Sequence, residues 1–422
     1  VPYVRVTVQI GLNATDETRY YFLGRRRNCN PTAVMVAILP REFRLDELAE
    51  QFTLYEGRAT RNELSLPSGS SWREVFARID AIQSAPFQHE REPLEIAVLN
   101  GVPGGRSALV VRIHCMLPDG VLPAALFRKA FAAADGDASA AAGDPVLRLP
   151  ASRVSPRRRA LARWRLVSRA AVTLSELADR DRARLELAAV TGIVRPGRWP
   201  VAAYRRARRL AGFRVPAADW RSEAALRGGG PGELYLALVA RIMRGAFDSL
   251  DAGTGPLRLA IPTAAAGASG HPDRTGAGHG VVALSGGADD LADLSVVRER
   301  TAALERRMRE AVPTLAEGAL VGLLPGSLRA AVDFRRGACC DALASSVSLP
   351  LRGELIGAPV EMMFIVPPAI GQAVSFSLTD HGEYFYLAGN ADIGVMPVPL
   401  AGRVEEALAE VFGKQFESFA GP

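Results

Sequence analysis

Ser107-Ala108-Leu109-Val110-Val111-Arg112-Ile113 is an apolar run rich in β-branched side chains, and it constrains the fold more than any other stretch of the chain. β-Branched residues suit the pleated backbone of a strand, and a run this apolar belongs in a core. Gly101-Val102-Pro103-Gly104-Gly105 precedes it as a turn, and no helix follows that turn, so it is not a phosphate cradle. On the far side the strand runs into His114-Cys115-Met116-Leu117-Pro118-Asp119-Gly120, where Pro118 and Gly120 end regular structure. A buried strand therefore delivers an imidazole, a thiol and a carboxylate into a turn, a suitable place for chemistry. The 422 residues exceed the size at which a single core stops growing, so two domains are expected.

This segment keeps the frame of a known motif and changes its central group. It resembles the His-His-x-x-x-Asp-Gly signature of the superfamily that includes chloramphenicol acetyltransferase, the condensation domains of peptide synthetases and bacterial wax ester synthase/diacylglycerol acyltransferases. His114, Asp119 and Gly120 match, whereas Cys115 stands where the second His belongs. In that superfamily the second His is the general base that deprotonates the acceptor hydroxyl or amine, the Asp orients the loop, and the Gly leaves room for substrate. The resemblance implies catalytic roles for Cys115 and His114 and structural roles for Asp119 and Gly120. Ordinary core packing is the competing account of a His-Cys pair at a strand end.

The resemblance extends over most of the chain. Ala344 to Pro350, Gly357-Ala358-Pro359-Val360, Gly371 to Leu378, a turn at Asp380-His381-Gly382 and a strand ending near Asn390-Ala391-Asp392 look like the closing domain of the wax ester synthase group. Tyr20-Tyr21-Phe22-Leu23, a strand at Ala33 to Leu39 and a helix from Leu45 look like its opening. Departures are clustered: Ser345-Ser346-Val347-Ser348-Leu349 replaces Ser-Asn-Val-Pro-Gly, Gly232-Glu233-Leu234-Tyr235 replaces a Val-Asn-Asp segment, and His279-Gly280 replaces Gly-Asn. Such coordinated rewriting of one cleft points to altered chemistry or relaxed use of the site. The resemblance implies an α/β fold, an α+β sandwich of two chloramphenicol acetyltransferase-like halves forming a pseudo-dimer with the active site in a tunnel between them. His279, Ser346, Gln372 and Ser375 are expected to line that tunnel or touch substrate.

The expected organisation is an N-terminal acyltransferase-like domain at residues 1–150 carrying the motif, a basic helical connector at 151–230, and a second acyltransferase-like domain at 231–422. The connector is read as helical from Ser155 to Arg214 and is dense in arginine, with Arg157-Arg158-Arg159, Arg205-Arg206 and Arg208-Arg209 near Trp199 and Tyr204. Basic helices of this kind suit nucleic acid, anionic lipid or an acidic protein, or form a solvated connector. With 51 basic against 45 acidic residues the net charge is only +6, which argues against nucleic acid as the main partner. A docking surface for a phosphate-bearing thioester donor or an acidic carrier protein is favoured, because the guanidinium fork fits phosphate.

The remaining features exclude several classes. No run of about 18 uncharged apolar residues is present, so no transmembrane helix is expected, while peripheral membrane contact stays open. The opening residues Val1 to Val8 alternate like a strand and lack signal-peptide features, so a cytoplasmic location is expected. Cys29, Cys115, Cys339 and Cys340 have no metal-ligand spacing, the histidines form no His-x-x-x-His pair, and no Walker-type loop occurs. No bound metal or cofactor is expected; the co-substrate implied by the resemblance is an acyl-CoA or acyl-carrier-protein thioester, and the acceptor a small-molecule or lipid-like compound.

Cys115 changes what the motif can do. A neutral imidazole with a pKa near ~6.5 accepts a proton at pH 7, whereas a thiol near ~8.5 is mostly protonated and a poor base. Its thiolate is a strong nucleophile, and attack on an acyl thioester is a nearly balanced exchange that yields an acyl-cysteine. Three readings stay open: an acyltransferase using Cys115 as nucleophile or tolerated base replacement, a repurposed relative that cyclises or rearranges a bound metabolite, and a non-catalytic binding protein in which Cys115 is a small buried residue.

Overall fold

The computed structural model describes residues 32–47, 60–67, 69–85, 94–114, 208–248, 255–263, 278–310, 340–348, 354–355, 358–368, 371–392, 399–416 and 418–419. Two sheets dominate. The first has the strand order β11 (Met362–Val366), β1 (Thr32–Leu39), β4 (Arg106–His114), β3 (Leu94–Val102), β2 (Thr60–Ser65). The second has the order β5 (Arg208–Pro216), β13 (Tyr384–Asp392), β12 (Val374–His381), β8 (Ala342–Ser348), β6 (Leu257–Thr263), β7 (Gly278–Leu284), while β9 (Glu354–Leu355) and β10 (Ala358–Pro359) form a separate two-stranded pair. In the first sheet, β1, β3, β4 and β11 pair antiparallel, and β2 lies parallel to β3. In the second sheet, β5, β12 and β13 pair antiparallel, while β8 runs parallel to both β12 and β6, and β7 closes the edge.

The expected strand at Ser107–Ile113 is β4, with β1 on one side and β3 on the other. The turn before it is made by Gly101, Gly104 and Gly105, all with φ between +71° and +85°, which only glycine adopts without strain. β11 comes from the C-terminal half of the sequence yet completes the N-terminal sheet beside β1. A further difference concerns the basic segment read as helical to Arg214. Its end, Arg208–Pro216, is an edge strand of the second sheet, because Ala211, Phe213 and Val215 alternate inward onto the core while Arg209 stays exposed.

Helices fill the layers between and behind the sheets. α1 (Trp72–Ser84) starts with a capping box in which Ser71 and Glu74 satisfy each other's backbone N–H groups. Its inward face is Val75, Phe76, Ile79, Ile82 and Gln83, at helical spacing. Phe76 packs on Phe364 of β11 and on Phe419, with ring centroids 5.3 and 5.4 Å apart. Phe419 reaches this layer over Gly212 of β5, where a Cβ would collide with the phenyl ring. The same cluster includes Tyr386 and Ala388 of β13, so this core joins one face of each sheet.

The opposite face of the second sheet is covered by α2 (Ala217–Leu226), α3 (Pro231–Asp248) and α6 (Leu400–Phe412), with α4 (Ala288–Ala292) and α5 (Ser295–Glu310) following β7. α3 is the apolar helix expected from Leu234 to Phe247, and its Tyr235 and Phe247 are fully buried in one core with Trp220 of α2 and Phe376 of β12. None of the described helices is long and apolar enough to cross a membrane.

Candidate functional site

β4 ends at His114, whose register partner is Thr32 at the start of β1. Three buried side chains meet the sheet at this point. Thr32 Oγ1 donates to the Gln83 carbonyl of α1 at 3.2 Å, and Gln83 Nε2 donates back to the Thr32 carbonyl at 3.2 Å and to the Pro367 carbonyl after β11 at 3.0 Å. Asn390 of β13 donates from Nδ2 to Gln83 Oε1 at 3.1 Å. Thr32, Gln83 and Asn390 are each at most 1% exposed. One amide thus ties the first sheet, the strand crossing into it and the second sheet together beside the end of the motif strand.

The second sheet adds a polar stripe on the same side. Ser375, Ser377, Thr379 and His381 alternate on one face of β12, with partners Asn390, Ala388, Tyr386 and Tyr384 on β13. All four are buried, although serine and threonine on a strand face normally mark solvent. Ser377 Oγ donates to the Ile365 carbonyl of β11. The hydroxyls of Ser375 and Thr379 have no hydrogen-bond partner, an expensive state for a buried polar group. Ser375 lies directly across from Asn390, so an unpaired hydroxyl sits beside the amide network next to the end of β4.

His381 closes the other end of the stripe. Its Nε2 lies 3.1 Å from the Val360 carbonyl, and Tyr386 Oη donates to the Glu361 carbonyl at 3.2 Å. Burial pushes the His381 pKa below its usual value, with the Val360 carbonyl and Asp380 carboxylate acting in the opposite sense. Burial likewise pushes the Tyr386 phenol well up. The folded imidazole therefore holds a proton less readily than the unfolded one, which titrates near ~6.5. Its contribution to stability is complete above that value and declines as pH falls through ~6.5 towards the lower folded pKa. The denaturation midpoint of the wild type is expected to fall more between pH 7.5 and pH 5.5 than that of His381→Gln; parallel declines would exclude the imidazole as a cause.

Arg112, two residues before the end of β4, is a buried charge with a built environment. Its side chain is 3% exposed, Nη1 donates to Glu95 Oε2 of β3 at 3.1 Å, and Nη2 donates to the Ala85 carbonyl at the end of α1. Glu95 Oε1 accepts from Asn62 Nδ2 at 2.7 Å, so the carboxylate is held on both oxygens.

The residues singled out from sequence are distributed as follows. Cys115, Asp119 and Gly120 lie outside the described residues, and His114 is the last residue of β4. Gln372, at 3% exposure, precedes β12, and Ser375 is the first inward residue of its polar stripe. Ser346 is exposed and lies on the opposite face of the second sheet, since its β12 partner Leu378 belongs to the core under α3. His279 sits on edge strand β7 opposite Pro262. The structure thus brings Gln372 and Ser375 to the end of β12 near the Gln83 network and sets Ser346 and His279 elsewhere on the sheet. Of the arginines proposed for docking, Arg208 and Arg209 are on β5 and Arg205 and Arg206 lie outside the described residues.

Gln83 and Asn390 carry the junction, yet neither was singled out for this role from sequence. The available signal was a glutamine on the apolar face of α1, a polar residue where the period calls for a hydrophobic one. Among the described residues no group of three or more His, Cys, Asp or Glu side chains is arranged to hold a metal ion.

Comparison with known proteins places this geometry. Residues 62–230 match the family model described as the wax ester synthase/diacylglycerol acyltransferase catalytic domain. No curated protein sequence matches the chain significantly. Among solved structures, a wax ester synthase/diacylglycerol acyltransferase from Marinobacter aquaeolei VT8 superposes with a TM-score of 0.62 at 16% identity, covering 96% of this chain and 98% of that one. A mutant starter condensation domain of rhizomide synthetase in complex with C8-CoA gives 0.53 at 11% identity, covering 98% and 97%. The epimerization domain from the third module of tyrocidine synthetase B gives 0.51 at 14%, covering 98% and 99%. At these identities the structural likeness establishes the fold.

Proposed function

We propose that this chain is an acyltransferase of the wax ester synthase/diacylglycerol acyltransferase kind, a reading supported by the family model that matches residues 62–230 and by the fold it shares with a wax ester synthase/diacylglycerol acyltransferase and with condensation domains. It moves an acyl group from a CoA or carrier-protein thioester to a hydroxyl or amine, with Cys115 and His114 at the reacting centre. The observation that carries this reading is the position of the end of β4. His114 pairs with Thr32, and Thr32 is bound through Gln83 to Asn390 of the other sheet, so the strand bearing the motif ends at the junction of the two sheets. A solved starter condensation domain of the same fold carries C8-CoA, which supports an acyl-CoA co-substrate.

In this reading the Cys115 thiolate attacks the thioester carbonyl, the bond to the donor sulfur breaks, and the departing thiolate takes up a proton. The acceptor oxygen or nitrogen then attacks the acyl-cysteine, giving an ester or amide and returning the thiol. Exchange of one thioester for another is nearly balanced, so the first step needs positioning more than driving force. Adjacent strand residues face opposite sides, so His114 assists Cys115 only if the backbone leaves strand geometry after His114. By the resemblance, Asp119 would orient the motif loop and Gly120 would leave room for substrate. Gln372 and the unpaired Ser375 hydroxyl serve as polar groups at the substrate's edge.

We retain the division into domains at 1–150 and 231–422 with a basic segment between them, and assign Arg205, Arg206, Arg208 and Arg209 to docking an acidic carrier protein or the donor's phosphates. A cytoplasmic location, where acyl thioesters and free thiols coexist, fits this chemistry. The acceptor is a small-molecule or lipid-like compound.

Release of free thiol from a panel of acyl-CoAs, with alcohols and amines as acceptors, tests the activity. The wild type is expected to turn over at least one pair, and Cys115→Ala to lower that rate about a hundredfold or more. Faster transfer by Cys115→His than by the wild type would replace the nucleophile role with that of a weakened base. No thiol release from any donor, in the wild type and Cys115→His alike, would overturn the reading.

A further inference from the structure

The chain that leaves α6 passes from one face of the second sheet to the other. α6 ends at Gly413, whose φ of +66° turns the backbone out of the helix. Phe416 then packs edge-on to Phe412, with ring centroids 5.1 Å apart, against the core under α3. Phe419 belongs to the other core, the one that joins the two sheets. Between these points the chain rounds the outer edge of β5, the last strand of its sheet. There it makes a single bridge, Phe213↔Ser418, and the Phe419 N–H donates to the Gly212 carbonyl at 2.9 Å. Three residues of extended chain reach about 10 Å, enough to cross the edge.

Phe419 gives this crossing its consequence. Its ring lies 5.4 Å from Phe76 of α1, 5.1 Å from Phe364 of β11 and 5.9 Å from Tyr386 of β13, and it fills the space that Gly212 leaves open on β5. One side chain therefore touches a helix and a strand of each sheet. The rest of the segment is weakly held. Lys414 Nζ donates to Asp219 Oδ2 of α2 at 2.7 Å and lies over the Phe416 ring, but both members of that ion pair are partly exposed, where such pairs contribute little. Ser418 Oγ is buried with no hydrogen-bond partner among the described residues, which works against the closed position. A segment held by one backbone bridge, one surface ion pair and one anchoring ring opens more readily than the sheets it rests on.

We propose that the chain from Gly413 to Phe419 is a strap that closes the layer between the two sheets at the β5 edge, and that it lifts as a unit without unfolding either sheet. This goes beyond the acyltransferase reading and does not rest on it. Lifting withdraws the Phe419 ring and opens an apolar slot bounded by Phe76, Phe364 and Tyr386. That slot and the Gln83–Asn390 bond are two ends of one layer. Phe76 and Gln83 lie about 10 Å apart on one face of α1, and Tyr386 and Asn390 about 13 Å apart on one face of β13. The strap thus governs entry of apolar molecules into this layer from the side remote from the end of β4.

Thiol labelling of Ser418→Cys in the full chain tests the strap, with buried Cys340 as an internal reference for wider opening. The introduced thiol is expected to react with iodoacetamide at least about 100-fold faster than Cys340, residue by residue in peptide maps, at a rate that low urea leaves unchanged. Adding Phe419→Leu, which withdraws the ring, is expected to raise that rate about 10-fold. Adding Lys414→Gln instead, which leaves both cores intact, is expected to raise it about 2- to 5-fold. Hydrogen exchange in α1 and β5 is expected to quicken with it, while Cys340 and α3 stay as they were. Equal labelling of the two thiols would mean that the segment opens only with the whole fold, and overturns the strap. So does labelling as fast as in an unfolded peptide, or no acceleration by either added substitution. Faster labelling with unchanged exchange in α1 and β5 overturns its control of the layer.

Discussion

Gln83→Leu is expected to lower the unfolding free energy by about 3–5 kcal/mol, the largest effect of any single substitution considered. The side chains are similar in size, so no large cavity forms. What is lost is a set of hydrogen bonds: the carbonyls of Thr32 and Pro367 lose a donor and Asn390 loses an acceptor, all within a layer closed to water. Each group carries part of its desolvation cost uncompensated. Urea denaturation checks the magnitude, and a cycle with Asn390→Leu checks the mechanism. Because Gln83 and Asn390 bond to each other, the double variant is expected to cost less than the sum of the singles by at least about 1 kcal/mol. Strict additivity would mean that Gln83 does not couple the sheets.

The second large effect is at the buried ion pair under the motif strand. Glu95→Ala is expected to cost about 3–4 kcal/mol, because it leaves the Arg112 guanidinium charged and 3% exposed with its carboxylate gone. The Ala85 carbonyl still accepts from Arg112, but a neutral dipole replaces only part of a full negative charge. Replacing both partners, as in Arg112→Met with Glu95→Met, is expected to recover most of the loss, since two desolvated charges are exchanged for apolar packing. Thermal or chemical denaturation of the three variants decides this. A double variant as unstable as Glu95→Ala would show that Arg112 acts through contacts other than this carboxylate. Since Arg112 lies two residues before His114, the single variant is also expected to lower acyl-transfer rate more than the double one.

The sequence was informative where periodicity and burial agree. β4, β1, the apolar helix α3 and the hairpin turning at Gly382 each carry an uninterrupted pattern, so local propensity and tertiary packing select the same structure. β5 was missed because Arg208, Arg209 and Arg214 dominate its composition, while the alternation of Ala211, Phe213 and Val215 that makes it a strand spans only five residues. The entry of β11 into the first sheet pairs Val34 with Val366 and Ile38 with Met362, contacts between residues more than 300 positions apart that no local pattern encodes.

At the site, the resemblance grouped Gln372, Ser375 and Ser346 as tunnel- or substrate-lining residues; in the structure Gln372 and Ser375 lie at the start of β12 beside Asn390, whereas Ser346 is on the sheet's other face. That separation follows from the two-residue period of a strand and the register of β8 against β12, which one sequence does not reveal. Gln83 escaped notice for a related reason. A glutamine in a helix is ordinary until its face is known to be dry.

The most direct measurement of the central claim is the mass of residue 115 after brief exposure to an acyl-CoA. Peptide mapping of the quenched full-length protein is expected to find the acyl group on Cys115 through a thioester that hydroxylamine removes, and to find none in Cys115→Ala. Acyl transfer to an acceptor with no label on Cys115 at any time point, or the same label persisting elsewhere in Cys115→Ala, would contradict the acyl-cysteine mechanism.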